Sequence, residues 1–358
     1  MEGESGSNLT LADYLRSNFA QLDHWFYEES SYQVSSFESE EDLLAPQELW
    51  ELDDLSQLSE WKQKRVKTPV PSIFFVDGRM KIHGRILVDR YLLLLAEVSA
   101  GFAQWEKSGG VRMGFSQDRP PALRKIIAAP EEIKSRNIFT TTNVSLLGKM
   151  VFSLEVSSRS SRYPAQAEAP EQAIFTAMQQ LEKKVLLDLW GREENTPIIK
   201  DGIIRPDDPA FQPGVGPCGL VKRSESRRLP PSYFETLLQL GKGERTPFVC
   251  AYFPKRGKNW LRVYCFTRLV ELEPYSPWQG IIRLEIAVEE SVLFHLRDEI
   301  SCFFDQLVVT LPTLTASYPW KRLPENLFPV IALEEHLGQY FSSSSWVQNL
   351  YRLFLRSE

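Results

Sequence analysis

Residues 169 to 190, APEQAIFTAMQQLEKKVLLDLW, place Ile174, Ala177, Met178, Leu181 and Val185 at the spacing of a helix with one apolar face, with Pro170 near its start. A strand-like run lies on either side, MVFSLEVSSR at 150 to 159 and PIIKDGIIRPDD at 197 to 208. A long helix between two strands buries its stripe against a sheet, which confines the chain to the α/β class.

The other apolar runs extend that sheet. SIFFVDG, at 72 to 78, reads as a compact strand stopped by Asp77 and Gly78; KIHGRILV and YLLLLAEVSAGFAQW read as two further strands or a hairpin. Residues 108 to 145 are mixed and polar, with a short helix expected in AAPEEIKSRNI. GPCGLVKRS reads as a strand and PSYFETLLQLGKG as a helix, while FVCAYF, WLRVYCFTRLV and GIIRLEIAVEE form three strands of the antiparallel kind. VLFHLRDEISCFFDQLVVTL and PENLFPVIALEEHLGQYFSSSSWVQNLYRLFL close the chain with helices. Ahead of this body, residues 8 to 28 show helical spacing of Leu9, Leu11, Leu15, Phe19, Leu22 and Phe26. Residues 29 to 60 are a Ser- and Glu-rich linker with a short helix near 46 to 59, and Lys62, Lys64, Arg65 and Lys67 make a basic junction. The expected organisation is an N-terminal helix and acidic linker over 1–68, a main domain over 69–345 and a helical tail over 346–358.

Composition narrows function by exclusion. Forty-one Lys and Arg against 47 Asp and Glu leave 358 residues with a net charge of -6, so nucleic acid would have to be held by local patches. Cys218, Cys250, Cys265 and Cys302 form no CxxC pair, which argues against zinc-ribbon or iron–sulfur ligation and for a reduced compartment. Only His24, His83, His295 and His336 are available for a histidine-rich zinc site. No P-loop occurs. The N-terminal MEGESGSNLTLADYL has no signal-peptide pattern, and no apolar run approaches membrane-spanning length; a cytoplasmic protein without a membrane partner is expected.

Two strands share one ending: FFVDG places Asp77 and IIKDG places Asp201, each before a glycine. Strand ends in an α/β sheet aim side chains into a common crevice, and paired carboxylates there suit a divalent cation; Asp-Gly is equally a hairpin turn signal. Glu182, on the helix before Asp201, is a third carboxylate whose oxygens suit magnesium or manganese, with solvated exposure beside Lys183 and Lys184 as the competing reading. His336, behind Glu334 and Glu335, suits ligation, proton transfer or pairing with a glutamate. Lys222, Arg223, Arg227 and Arg228 concentrate positive charge after Asp201, where phosphate contact competes with a solvated loop.

The order of these pieces resembles the NurA nuclease family: Val76-Asp77-Gly78, the helix with Glu182, Asp201-Gly202, GLVKRS, RLE at 283 to 285, and YP followed by the helix with His336, together spanning residues 69 to 345. The resemblance implies an RNase H-like α/β fold, a mixed sheet flanked by helices with inserted segments. It also implies a manganese-dependent DNA nuclease, single-stranded endonuclease and 5′ to 3′ exonuclease, acting in DNA end processing as a homodimer with a hexameric HerA-type translocase. Carried onto this chain, Asp77, Glu182, Asp201 and His336 would hold Mn2+ or Mg2+, two cations in the implied mechanism. Lys222 would approach the phosphate, and Arg223, Arg227 and Tyr264 would contact the substrate. Glu155 and Glu171 are alternatives to Glu182. Two departures stand out: Arg79 replaces the small residue usual after the first Asp-Gly, and Asp77 lies far from Asp201 along the chain. Such departures also fit a non-catalytic member that keeps the fold as a DNA-binding or translocase-assembly subunit.

Overall fold

A computed structural model of the chain describes residues 13, 15, 21–23, 48–49, 68–88, 91–136, 143–158, 168–192, 195–222, 231–253, 256–257, 259–271, 279–316 and 325–356. Its strands in chain order are β1 (Gln21–Asp23), β2 (Glu48–Leu49), β3 (Ser72–Val88), β4 (Tyr91–Glu106), β5 (Gly110–Met113), β6 (Ala122–Ala129), β7 (Asn143–Leu146), β8 (Met150–Val156), β9 (Ile198–Asp201), β10 (Cys218–Val221), β11 (Val249–Tyr252), β12 (Trp260–Arg268) and β13 (Ile281–Glu289). The helices are α1 (Glu168–Trp190), α2 (Pro231–Gln239), α3 (Glu290–Leu293), α4 (Arg297–Thr310), α5 (Phe328–Gly338) and α6 (Ser344–Arg356).

All the strands join one mixed sheet in the order β2-β11-β12-β13-β10-β9-β3-β4-β6-β8-β7, with β1 along β3 and β5 along β4. The pairs β3–β9, β9–β10 and β6–β8 are parallel and the rest antiparallel. A mixed sheet with helices on both faces agrees with the expected RNase H-like α/β fold.

Strand alternation sorts residues between two differently covered faces. Val98, Ala100, Ile126 and Ala128 receive Ala173, Ile174, Ala177 and Leu181 of α1, and Phe74, Val76 and Ile198 receive Leu186 and Leu189. On the other face Phe75, Ile199, Leu220 and Leu284 pack beneath Phe303, Phe304 and Leu307 of α4 and Val330 of α5. Farther along that face, Val347, Leu350, Tyr351 and Phe354 of α6 cover Ile86, Leu93, Leu95 and Phe152. Among the described residues no helix is long and apolar enough to cross a membrane, and all four cysteines are free thiols.

Three local expectations give way to tertiary pairing. The strand at 72 to 78 does not end at Asp77-Gly78: β3 continues to Val88 and takes in KIHGRILV, because the long apolar β4 pairs with it from Ser72↔Glu106 to Val88↔Tyr91. A register shift between Ile82 and Gly84 absorbs one residue of mismatch. The single helix expected over 8 to 28 is interrupted, since Gln21–Asp23 pair with Leu87, Ile86 and Arg85 at the free side of β3. Glu48–Leu49 likewise join β11 at the sheet edge and are not helical. In each case an available strand edge outweighs local helical or turn preference. The rest of the N-terminal helix, the remainder of the acidic linker and the basic junction at 62 to 67 lie outside the described residues.

Candidate metal centre

Parallel pairing of β3 and β9 aligns Val76 with Lys200, so the next residues, Asp77 and Asp201, stand side by side. Asp201 closes β9, and Gly202 turns the chain with φ +95, a left-handed backbone that glycine adopts without a Cβ clash. Strand β10 pairs parallel to β9 with Leu220 beside Asp201, which sets Lys222 on the same face just past the strand. Helix α5 crosses this face with Val330, Leu333 and Leu337 buried, and Glu334 projects from the same side of the helix.

The result is a group of three carboxylates. Oxygens of Asp77, Asp201 and Glu334 all lie within 4.8 Å of one another. Asp77 is buried, and one of its oxygens, Oδ1, accepts the Gly78 N–H at 2.7 Å. Burial, then the charges of Asp201, Glu334 and Glu182, push the Asp77 carboxyl well above the usual range, with Lys222 opposing them. Lys222 Nζ donates to Asp201 Oδ2 at 2.5 Å. Burial works against the charge of Lys222, but Asp201 and Asp77 outweigh it and raise its pKa. Three carboxylates against one ammonium leave net negative charge in a partly enclosed site, the condition a divalent cation relieves.

Glu182 reaches the neighbourhood from the opposite face. It is buried on α1, and a Cβ built on Gly78 would lie 2.6 Å from its Oε1. Burial raises its carboxyl to about 7, against the lowering influence of Lys200 and Arg205. Glu182 is therefore buried and close enough to influence Asp77, yet it is not one of the three converging carboxylates. Of the alternatives, Glu171 lies on the first turn of α1 and Glu155 on β8, where it pairs with Arg124.

His336 is exposed, and its Nδ1 lies 2.8 Å from the Ala332 carbonyl one turn back on α5. Tyr264 is buried among Tyr233, Leu237 and Phe266, with its hydroxyl pushed up to about 12, mainly by burial. Arg223 and Arg227 lie outside the described residues. In the sequence the scarcity of histidine favours His336, whereas the structure brings Glu334 into the group. The signal was helical phase: with Val330, Leu333 and Leu337 inward, 334 lies on the sheet-facing side and 336 does not.

No protein-family model matches the chain. No curated protein matches it. Among solved structures, the crystal structure of the NurA nuclease from Sulfolobus solfataricus is similar, with a TM-score of 0.46 and 12% sequence identity over 84% of this chain and 88% of that one.

Proposed function

We propose that the chain is a metal-dependent nuclease whose centre is Asp77, Asp201 and Glu334. The observation that carries this reading is the convergence of those carboxylates within 4.8 Å beside Lys222. The donor set is all oxygen, which suits manganese or magnesium better than zinc or copper. A divalent cation held there would supply Lewis acidity toward a phosphoryl oxygen and toward water.

The chain's own groups supply the rest. Asp77, Asp201 and Glu334 would hold and orient the cation. Lys222 neutralises Asp201 and stands where it can offset charge on a phosphate oxygen. His336, exposed on α5, and Arg223 and Arg227, which follow Lys222 in the chain, are proposed to meet the nucleic-acid backbone. Glu182, across Gly78, is proposed to tune the Asp77 carboxyl through its charge, and Tyr264, packed in the core, is given no substrate contact. The ordered motifs that resemble the NurA family supply DNA as the substrate class, with end processing, a homodimer and a HerA-type translocase as the corresponding setting.

The test uses end-labelled single-stranded and duplex DNA with manganese, magnesium or chelator. Asp77→Asn, Asp201→Asn and Glu334→Gln are expected to lower manganese-stimulated cleavage by at least about 100-fold, the upper end of the loss on removing a group that only orients a ligand, while circular dichroism stays unchanged. Full activity in the aspartate variants rejects the centre. DNA association without cleavage by well-folded wild type selects the non-catalytic reading.

A further inference from the structure

Arg79 lies two residues beyond Asp77 on the same face of β3. Its Nη1 donates to the Glu334 carbonyl at 2.6 Å, the main-chain oxygen of the residue whose side chain completes the carboxylate group. That oxygen belongs to the last turns of α5, where the helix dipole favours a cation. The guanidinium also lies across Gly338: a Cβ built there would come 2.6 Å from Nη1 and 2.9 Å from Cζ. Glycine at 338 therefore leaves the space in which Arg79 reaches the helix backbone.

The same row of β3 continues the grip. Lys81 Nζ donates to the Ser342 carbonyl at 3.2 Å, and His83 Nδ1 lies 3.2 Å from Ser344 Oγ. From the neighbouring strand, Glu97 accepts the Ser342 N–H at 2.7 Å and its hydroxyl at 2.8 Å. Alternate strand residues thus meet successive points along the α5–α6 segment. Only Arg79 among them holds the residue that bears a carboxylate of the centre.

We propose that Arg79 is a positioning residue: by holding the Glu334 carbonyl above Gly338, it sets the height of α5 on β3 and keeps the Glu334 carboxylate beside Asp77 and Asp201. The assignment rests on the three carboxylates being a cation site. It gives the bulky cation after Asp-Gly a role in building the centre through the helix backbone.

Manganese titration of the full chain without DNA, followed by electron paramagnetic resonance, separates the possibilities. Arg79→Met is expected to weaken manganese binding by about tenfold, the scale typical for groups that orient metal ligands, with an unchanged circular dichroism spectrum. Arg79→Lys, which keeps a donor, should recover part of that loss. Gly338→Ala should weaken binding with Arg79 still present, because the added methyl displaces the guanidinium. Wild-type affinity in both Arg79→Met and Gly338→Ala, with binding lost in Asp77→Asn, refutes the positioning role and leaves the cation site standing. Undiminished binding in Asp77→Asn instead refutes the site and this inference with it. Loss of DNA affinity in Arg79→Met at unchanged manganese affinity also overturns the role, making Arg79 a phosphate contact.

Discussion

Glu97 shows how far a single side chain governs this fold. Its carboxylate is fully buried, 2.5 Å from Lys125 Nζ and 3.3 Å from His83 Nε2, and it accepts two hydrogen bonds from Ser342. Burial acts to raise its pKa, but the hydrogen bonds from His83, Lys125 and Ser342 prevail and lower it from 4.5 to about 2. A depressed carboxylate adds stability above its unfolded value and loses that contribution as pH falls through the folded one. The wild type should therefore lose stability between about pH 4.5 and about pH 2 in a way that Glu97→Gln does not. At neutral pH Glu97→Gln should cost about 2 kcal/mol, below the ~3–5 kcal/mol of a fully buried pair because Lys125 keeps partial exposure. Urea unfolding across that range checks both; identical acid slopes in the two proteins would sink the assignment.

At the scale of elements, the seat of α1 on β3 depends on a missing side chain. Gly78 lies in the middle of a strand, where alanine is ordinarily the better residue. Here a Cβ would come 2.6 Å from Glu182 Oε1 and 2.7 Å from Met178 Cγ, both on α1. Gly78→Ala should therefore destabilise the fold by about 1–3 kcal/mol through overpacking, despite its favourable backbone entropy. Neutral or stabilised unfolding of this variant would show that α1 does not press on β3 as described. The Asp-Gly pair that looks like a turn thus does different work: aspartate faces the carboxylate group and glycine admits a helix.

For the whole molecule, a cation held by the carboxylate group would make stability depend jointly on pH and cation. The folded pKa of Asp77 lies well above its unfolded value, so its contribution is present below the unfolded value and is lost as pH rises through the folded one. A divalent cation bound there would stabilise the ionised form and reverse that loss. The stabilisation given by a fixed concentration of manganese should consequently grow as pH rises through the folded-state titration of Asp77, reaching about 2.7 kcal/mol where manganese stands at a hundredfold excess over Kd. Equal stabilisation at low and high pH, or more in acid, would contradict the coupling; Asp77→Asn should remove the pH dependence.

The elements most visible in the sequence were those whose own pattern suffices. The stripe of α1 can be read locally because its periodicity reports which face is buried, and the runs of β9 to β13 because short apolar stretches bounded by turn residues mark strands buried on both faces. Asp77 and Asp201 were visible for the same reason, as polar residues set in short apolar runs. The continuation of β3 through Gly78 was not, since it depends on the length of β4 pairing beside it. Neither was the convergence of Glu334 with residues more than a hundred positions away in the chain, which depends on how Arg79, Lys81 and Glu97 seat the α5–α6 segment on the sheet. Local pattern decides which face of an element is buried; only packing between distant elements decides which of its polar residues meet.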